Sequence, residues 1–456
     1  MASDLIAQIA TAPGEAALAV VRVSGPGAIA AVRGVFSPRS GRFAGPRTAM
    51  VGLLHSVEAT EPVDEAVVTC YPEGASYTGE EMVEVVCHGG RVVVGDVLEL
   101  LLSQGARPAA PGEFSKRAYV NGKLDLAQAE AVCDLIRSRT RLAARASLRQ
   151  LQGGVSRPVR QIRDRLLAFA ASIEVTLDFP DEDIVSLGSA DLAAHAAPIL
   201  NDLRRLHDGW SAGRRIRDGV TVALVGRPNT GKSSLLNALL GVERAIVTAV
   251  PGTTRDTIEE WLDLAGIPVR LVDTAGLRRA PGDEVERLGI ARTEDAIERS
   301  DILVAVFDAS QSLQPEDAAL LDSLRDDERP WLACRNKSDL PSMLGPLPYA
   351  PPLGSAETCA LSPEGVQPLR TALANALTSE ATDPGEILLT SARHADCVRR
   401  ALRALERAVD GADSGVPVDL TCQDLREAAE ILDEILGGSA TEDMIDLIFS
   451  TFCLGK

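Results

Sequence analysis

The sequence predicts a multidomain α/β and α+β chain: an α+β N-terminal domain, a discontinuous α-helical domain, and an inserted P-loop α/β domain. Three observations predict it. At 456 residues the chain is too long for one ordinary core. Its texture changes along its length from β-rich to helical, then to alternating strands and helices, then back to helical. A glycine-rich loop stands at a strand-to-helix junction inside the alternating stretch.

Residues 1–121 carry short apolar β-rich runs, Ala17–Val23, Glu65–Cys70, Met82–Val86 and Val92–Leu102, set between Gly/Pro turns. That pattern reads as a compact α+β domain. Residues 122–215 are rich in alanine and arginine, with apolar residues three and four apart. Leu126, Ala129, Val132 and Ile136 would share one helix face, and Ile162, Leu166 and Phe169 another. Residues 216–377 begin with the strand candidate Val220–Val225. Leu271–Asp273, Ile302–Asp308 and Trp331–Asn336 follow as strands of a parallel sheet with crossover helices. In residues 378–456 helical spacing returns, through Val398, Leu402, Leu405 and Val409, then Leu425, Ala428, Leu432 and Ile435. Neither helical piece carries enough apolar surface for a core of its own, so the two are expected to form one domain around the insertion.

Composition excludes several classes. No apolar run approaches the roughly 20 residues that span a bilayer, and no basic stretch leads into an apolar one at the N-terminus. The expectation is a cytoplasmic protein with no membrane partner. Eight cysteines are scattered singly and five histidines are dispersed, so neither a disulfide framework nor a zinc cluster is legible. A net charge of −19 confines any nucleic-acid contact to a local basic patch.

The segment Gly226-Arg-Pro-Asn-Thr-Gly-Lys-Ser233 matches the phosphate-loop pattern between a strand and a helix. Its backbone N–H groups would turn around a β-phosphate, Lys232 would reach the β- and γ-phosphates, and Ser233 would bind Mg²⁺. Three companions follow in order. Thr253-Thr-Arg-Asp256 offers Thr254 to the Mg²⁺ sphere. Asp273-Thr-Ala-Gly276 places Asp273 near the metal and the Gly276 N–H near the γ-phosphate. In Asn336-Lys-Ser-Asp339 the Asp339 carboxylate can accept two guanine N–H groups, a pairing adenine lacks. A Ser-Ala turn usually completes such sites; Cys359-Ala360 is the candidate here and departs from that pattern.

On these residues the chain closely resembles the bacterial and organellar tRNA-modification GTPase family usually called MnmE or TrmE. Pro251-Gly-Thr-Thr-Arg-Asp256, Asp273-Thr-Ala-Gly-Leu-Arg278 and Asp283-Glu-Val-Glu-Arg287 belong to the resemblance. Pro111-Gly-Glu-Phe-Ser115, Lys123-Leu-Asp-Leu-Ala-Gln-Ala-Glu130 and the tail Cys453-Leu-Gly-Lys456 decide it, because many GTPases share the others. The resemblance implies an N-terminal tetrahydrofolate-binding and dimerisation domain, a discontinuous helical domain and an inserted Ras-like P-loop GTPase domain. It implies a homodimer that works with the flavoprotein MnmG (GidA) in a heterotetramer. Together they would add an aminomethyl or carboxymethylaminomethyl group to C5 of the wobble uridine of certain tRNAs. The one-carbon unit would come from 5-formyl- or 5,10-methylene-tetrahydrofolate, contacted by Arg22, Glu84, Lys123 and Lys456.

Carried over by motif, GTP contacts fall on Asn229, Thr230, Gly231, Lys232, Ser233 and Ser234, then on Thr248, Ala249, Val250, Pro251, Gly252, Thr253 and Thr254. They continue on Asp273, Thr274, Ala275 and Gly276, and end on Asn336, Lys337, Asp339, Cys359 and Ala360. Position 277 is leucine, where Ras-type enzymes use glutamine to orient water. Arg255, Arg278 and Arg279 are candidate arginine fingers or plain surface residues. The resemblance implies another arrangement: a K⁺ ion held by Asn229 and by carbonyls of Thr248, Val250 and Thr253, completed when two GTPase domains meet. Glu286 would then orient the water; alternatively it pairs with Arg287 or Arg292 as a surface acid.

Met444, Ile445, Leu447, Ile448 and Phe452 make an apolar helix before the tail. Cys453 is either a thiol near the modification chemistry or a spectator. Arg137, Arg141, Arg145 and Arg149 recur every four residues as one stripe on a predicted helix, either a contact for tRNA phosphate or a solvated face. The competing reading is a ribosome-assembly GTPase of the Era or EngA type, which lacks the N-terminal domain and the Cys-x-Gly-Lys tail.

Overall fold

The computed structural model describes residues 4–56, 61–178, 189–242, 261–273, 298, 300–378 and 388–456. The chain divides into two compact units. The first comprises Met1–Ile136, Leu148–Arg204 and Asp396–Lys456; the second comprises Arg137–Ser147 and Arg205–Ala395.

In the first unit, strands β1 (Ile6–Ile9), β2 (Ala16–Ser24), β3 (Phe36–Pro38), β4 (Ala49–His55), β5 (Pro62–Tyr71), β6 (Met82–Gly89) and β7 (Arg107–Pro108) form one sheet. Its order is β3-β4-β5-β6-β2-β1-β7. Side chains alternate between faces along each strand. Val21 and Val23, Val83 and Val85, and Ala66 and Val68 therefore point into one core, where Val32, Val97 and Leu101 from two helices cover them. The alternate residues Arg22 and Glu84 stand opposite each other on the other face.

The run Val92–Leu102 forms not a strand but most of the helix Arg91–Ser103. Its Val94, Val97, Leu100 and Leu101 are spaced three and four apart and all buried; that periodicity overrides the β-propensity of its valines.

The helical part of this unit pairs Ser156–Asp178 with Val418–Leu436. Ile162, Leu166 and Phe169, and Leu425, Ala428, Leu432 and Ile435, are buried as their spacing required. Two expected faces need correction. Ile136 is 48% exposed, and the inward face of Ala392–Asp413 is Val398, Ala401, Leu405 and Ala408 rather than a leucine-valine stripe. The arginine stripe is also interrupted. Arg137 ends the helix Leu126–Arg137, and Arg141 begins the separate helix Arg141–Leu151. Between them Thr140 Oγ1 accepts the Ala143 N–H at 3.1 Å, a cap that starts a new helix.

The C-terminal helix Glu442–Ser450 starts on a Thr441 cap. Phe449 and Phe452 are buried with Leu126, Ala129 and Cys133, whereas Leu447 is 69% exposed. Gly455 has φ +84°, and a Cβ there would stand 2.7 Å from Ala10 Cα. The last residues are thereby held against the end of β1.

In the second unit, β8 (Val220–Val225), β9 (Trp261–Leu264), β10 (Ile267–Asp273), β11 (Ile302–Asp308), β12 (Trp331–Asn336) and β13 (Ser355–Thr358) form a sheet. Its order is β13-β12-β11-β8-β10-β9, parallel except for β9. Both faces are buried, as parallel sheets require. Val222, Leu224, Val304 and Val306 pack with Leu235, Leu239, Leu369 and Leu373. Ala223, Ala305 and Phe307 pack with Leu321 and Leu324. The hairpin partner β9 and the edge strand β13 went unread in the sequence because both are only four residues long.

Candidate nucleotide and ligand sites

β8 lies inside the sheet with β11 on one side and β10 on the other. Ligands of open α/β sheets bind at the carboxyl ends of the strands, where the connections diverge. The loop after Val225 occupies that position. Gly226 has φ +155° and a Cβ there would lie 2.5 Å from Val306 O; Gly231 has φ +95° and a Cβ there would collide with Asn336 Nδ2. Asn229 adopts φ +64° without being glycine, a left-handed conformation that turns the loop back on itself. Thr230 Oγ1 donates to Arg227 O at 3.1 Å. Lys232 Nζ donates to Gly226 O at 2.9 Å and Arg227 O at 3.0 Å. The helix Lys232–Val242 then points its N-terminus at the loop, with Ser233 and Ser234 exposed on its first turn.

The end of β12 is bonded directly to this loop. Asn336 Nδ2 donates to Thr230 O at 2.8 Å, and Thr358 Oγ1 donates to Asn336 Oδ1 at 3.2 Å. Lys337, at φ +64°, places Nζ 2.7 Å from Asp308 Oδ2. Burial pushes the Asp308 carboxyl up, but the Lys337 ammonium and two Ser310 donors outweigh it and hold it below the ordinary value. Asp339 is exposed beyond them. The Cys359 N–H donates to Gly365 O at 2.9 Å, and Ala360 packs against the sheet core. Asp273 ends β10 opposite Leu224. Thr248, Ala249, Val250, Pro251, Gly252, Thr253, Thr254, Thr274, Ala275, Gly276 and Glu286 lie outside the described residues, as do Leu277, Arg255, Arg278 and Arg279.

A second constellation occupies the open face of the N-terminal sheet. Arg22 and Glu84 form an ion pair at 2.8 Å, with a further hydrogen bond from Nε at 2.9 Å. Tyr71 donates to Glu84 Oε2 at 3.3 Å. The Arg22 guanidinium lies 5.4 Å from the centre of the Tyr77 ring, whose hydroxyl bonds Ser115 Oγ at 2.8 Å. Lys456 belongs to the same group: burial, then the positive charge of Arg22, lowers its ammonium, with Glu84 and Cys453 opposing. Lys123 keeps a separate contact, donating to Gly74 O at 2.6 Å. Arg22 Nη1 is buried with no hydrogen-bond partner. A buried donor left unmade is costly, so this face suits a ligand that brings an acceptor oxygen or nitrogen.

Comparison with known proteins follows the same division. The family model "MnmE helical domain" matches residues 126–453, and "GTP-binding protein TrmE N-terminus" matches residues 5–123. The chain belongs to the MnmE family of tRNA modification GTPases. It is similar along its whole length to proteins of that name. The relative from Heliobacterium modesticaldum is 41% identical, covering 100% of both chains. That from Natranaerobius thermophilus is 40% identical at 100% of both. That from Thermotoga petrophila is 41% identical over 99% of this chain and 100% of the relative. Among solved structures, Aquifex aeolicus Era bound to GDP.AlF4- is 21% identical over 41% of this chain and 66% of its own, with a TM-score of 0.26. A likeness that slight carries no argument about function.

Several residues of these MnmE-family sites escaped sequence reading: Asp308, Thr358, Tyr71 and Tyr77. Asp308 left one signal, a carboxylate closing the otherwise apolar run Ile302–Asp308. The tyrosines left none, because their partners come from other strands and from a helix.

Proposed function

We propose that this chain binds and hydrolyses GTP through Gly226–Ser233 and Asn336–Asp339. With an MnmG (GidA) flavoprotein it would place an aminomethyl or carboxymethylaminomethyl group on C5 of the wobble uridine of certain tRNAs. The observation that carries the nucleotide reading is the Asn336–Thr230 bond, which makes the guanine-reading strand end and the phosphate loop one rigid piece.

In this reading Lys232 and the loop amides hold the β- and γ-phosphates, and Asp339 reads guanine. Ser233 and Thr254 hold Mg²⁺. Asn229, with carbonyls of Thr248, Val250 and Thr253, holds K⁺. A K⁺ ion there would supply charge stabilisation between the β- and γ-phosphates. Glu286 orients the attacking water, and a facing GTPase domain of a second copy completes the site. On the N-terminal sheet, Arg22, Glu84 and Lys456, with Lys123 nearby in sequence motif, receive a reduced folate such as 5-formyl- or 5,10-methylene-tetrahydrofolate. The orphaned Arg22 Nη1 supports an acceptor-bearing ligand of that kind. The ordered tail brings Cys453 close to Lys456 and hence to the one-carbon chemistry.

Steady-state hydrolysis in matched KCl and NaCl tests the GTPase reading. The expected outcome is turnover at least about tenfold faster in KCl. Glu286→Ala should keep GTP affinity yet lose about 100-fold or more in kcat. Equal rates in both salts would remove the potassium site; an unimpaired Glu286→Ala would remove the water-positioning role.

A further inference from the structure

A buried ion pair outside the nucleotide motifs anchors the phosphate loop. Arg227, the second residue of the loop, places Nε 3.1 Å from Asp317 Oδ2 and donates from Nη2 to Gln311 Oε1 at 2.9 Å. The side chains are 14% and 2% exposed. Asp317 lies in the first turn of the helix Pro315–Arg325 and also accepts the Gln314 N–H at 3.2 Å. Its other oxygen, Oδ1, is buried with no partner.

On the loop side, the same arginine contributes its carbonyl. That oxygen accepts from Thr230 Oγ1 and from Lys232 Nζ, beside the Gly226 carbonyl that takes a second Lys232 proton. An ammonium on a four-carbon stem has no fixed direction of its own; these two carbonyls give Lys232 its direction. The carbonyls in turn follow two peptide planes between Gly226 at φ +155° and Asn229 at φ +64°, a backbone that must be held by its surroundings.

We infer that Asp317 is a positioning residue for GTP: through Arg227 it fixes the Gly226 and Arg227 carbonyls that aim the Lys232 ammonium at the phosphates. The inference rests on the reading of Gly226–Ser233 as the phosphate site. It differs in sign from a direct electrostatic role for Arg227. Were Arg227 simply a positive charge near the phosphates, neutralising Asp317 would strengthen nucleotide binding.

The test uses the full chain, with titration of a fluorescent GDP and steady-state GTP hydrolysis. Asp317→Asn should weaken GDP binding and raise KM by about tenfold while kcat falls by less than about threefold, since misplacement acts mainly on binding. Arg227→Lys, which keeps the charge but loses the two-pronged grip, should show the same split. The double variant Asp317→Asn with Arg227→Gln restores a neutral hydrogen-bonded pair and should recover most of the affinity even where Asp317→Asn alone folds poorly. Unchanged or tighter GDP binding in Asp317→Asn would overturn the inference, and so would a double variant that recovers nothing. Lys232→Ala with full GTP affinity would instead overturn the phosphate-site reading itself.

Discussion

Glu113 accepts hydrogen bonds from Arg107 at 2.6 and 2.9 Å, from the Ala110 N–H at 2.8 Å and from Arg117 at 2.9 Å. Burial alone would raise its carboxyl; the two guanidiniums and the amide overcome that and bring it from 4.5 to about 2. A folded-state value below the unfolded one stabilises fully above about pH 4.5 and is lost as pH falls towards 2. With screening at the half-exposed Arg107, the contribution at neutral pH is about 2 kcal/mol. Glu113→Gln should therefore cost that much in urea unfolding at pH 7, and the gap to the unaltered protein should narrow steadily towards pH 3. A gap constant across that range would refute the assignment. Residues such as Lys232, Asn336 and Asp339 were legible in the sequence because their motifs are contiguous and their chemistry is local. Tyr77 was not: its value depends on Arg22 and Ser115, and Ser115 is 38 positions away.

At the scale of elements, the C-terminal helix decides where the tail goes. Phe449 is 2% exposed, and a Cβ on Gly112 would collide with its carbonyl. Phe449→Ala should cost about 3–5 kcal/mol by cavity formation and loosen Cys453–Lys456. The matching measurement is binding of 5-formyl-tetrahydrofolate, expected to weaken by about tenfold as the Lys456 contact is lost; unaltered affinity in a folded variant would show that the tail takes no part. Helices with long apolar spacing were read correctly from the sequence, Val418–Leu436 among them. Val92–Leu102 was not, since valine favours strands locally while its spacing of three and four satisfies a helix. The arginine stripe failed for a different reason. Thr140 can sit within a helix or begin one, and the bond it makes to Ala143 fixes the second choice only in the folded chain.

At the scale of the molecule, strand-helix alternation between two helical stretches gave the order of the parts, and the parallel sheet followed from its apolar runs. The grouping of Arg137–Ser147 with the second unit was invisible to that reading. It arises from tertiary contacts, with Thr140 Oγ1 donating to Gly266 O at 2.6 Å and Arg139 lying 3.8 Å over the Trp261 ring. Neither contact leaves a periodicity in the sequence. The chain thus carries a nucleotide site on one unit and an acceptor-seeking site on the other, and the proposed function requires both in one reaction on tRNA. Nucleoside analysis of tRNA from cells lacking this gene tests that claim most directly. The account predicts loss of the C5 group from wobble uridine, restored by the intact chain and not by Lys232→Ala; fully modified wobble uridine without the gene would contradict it.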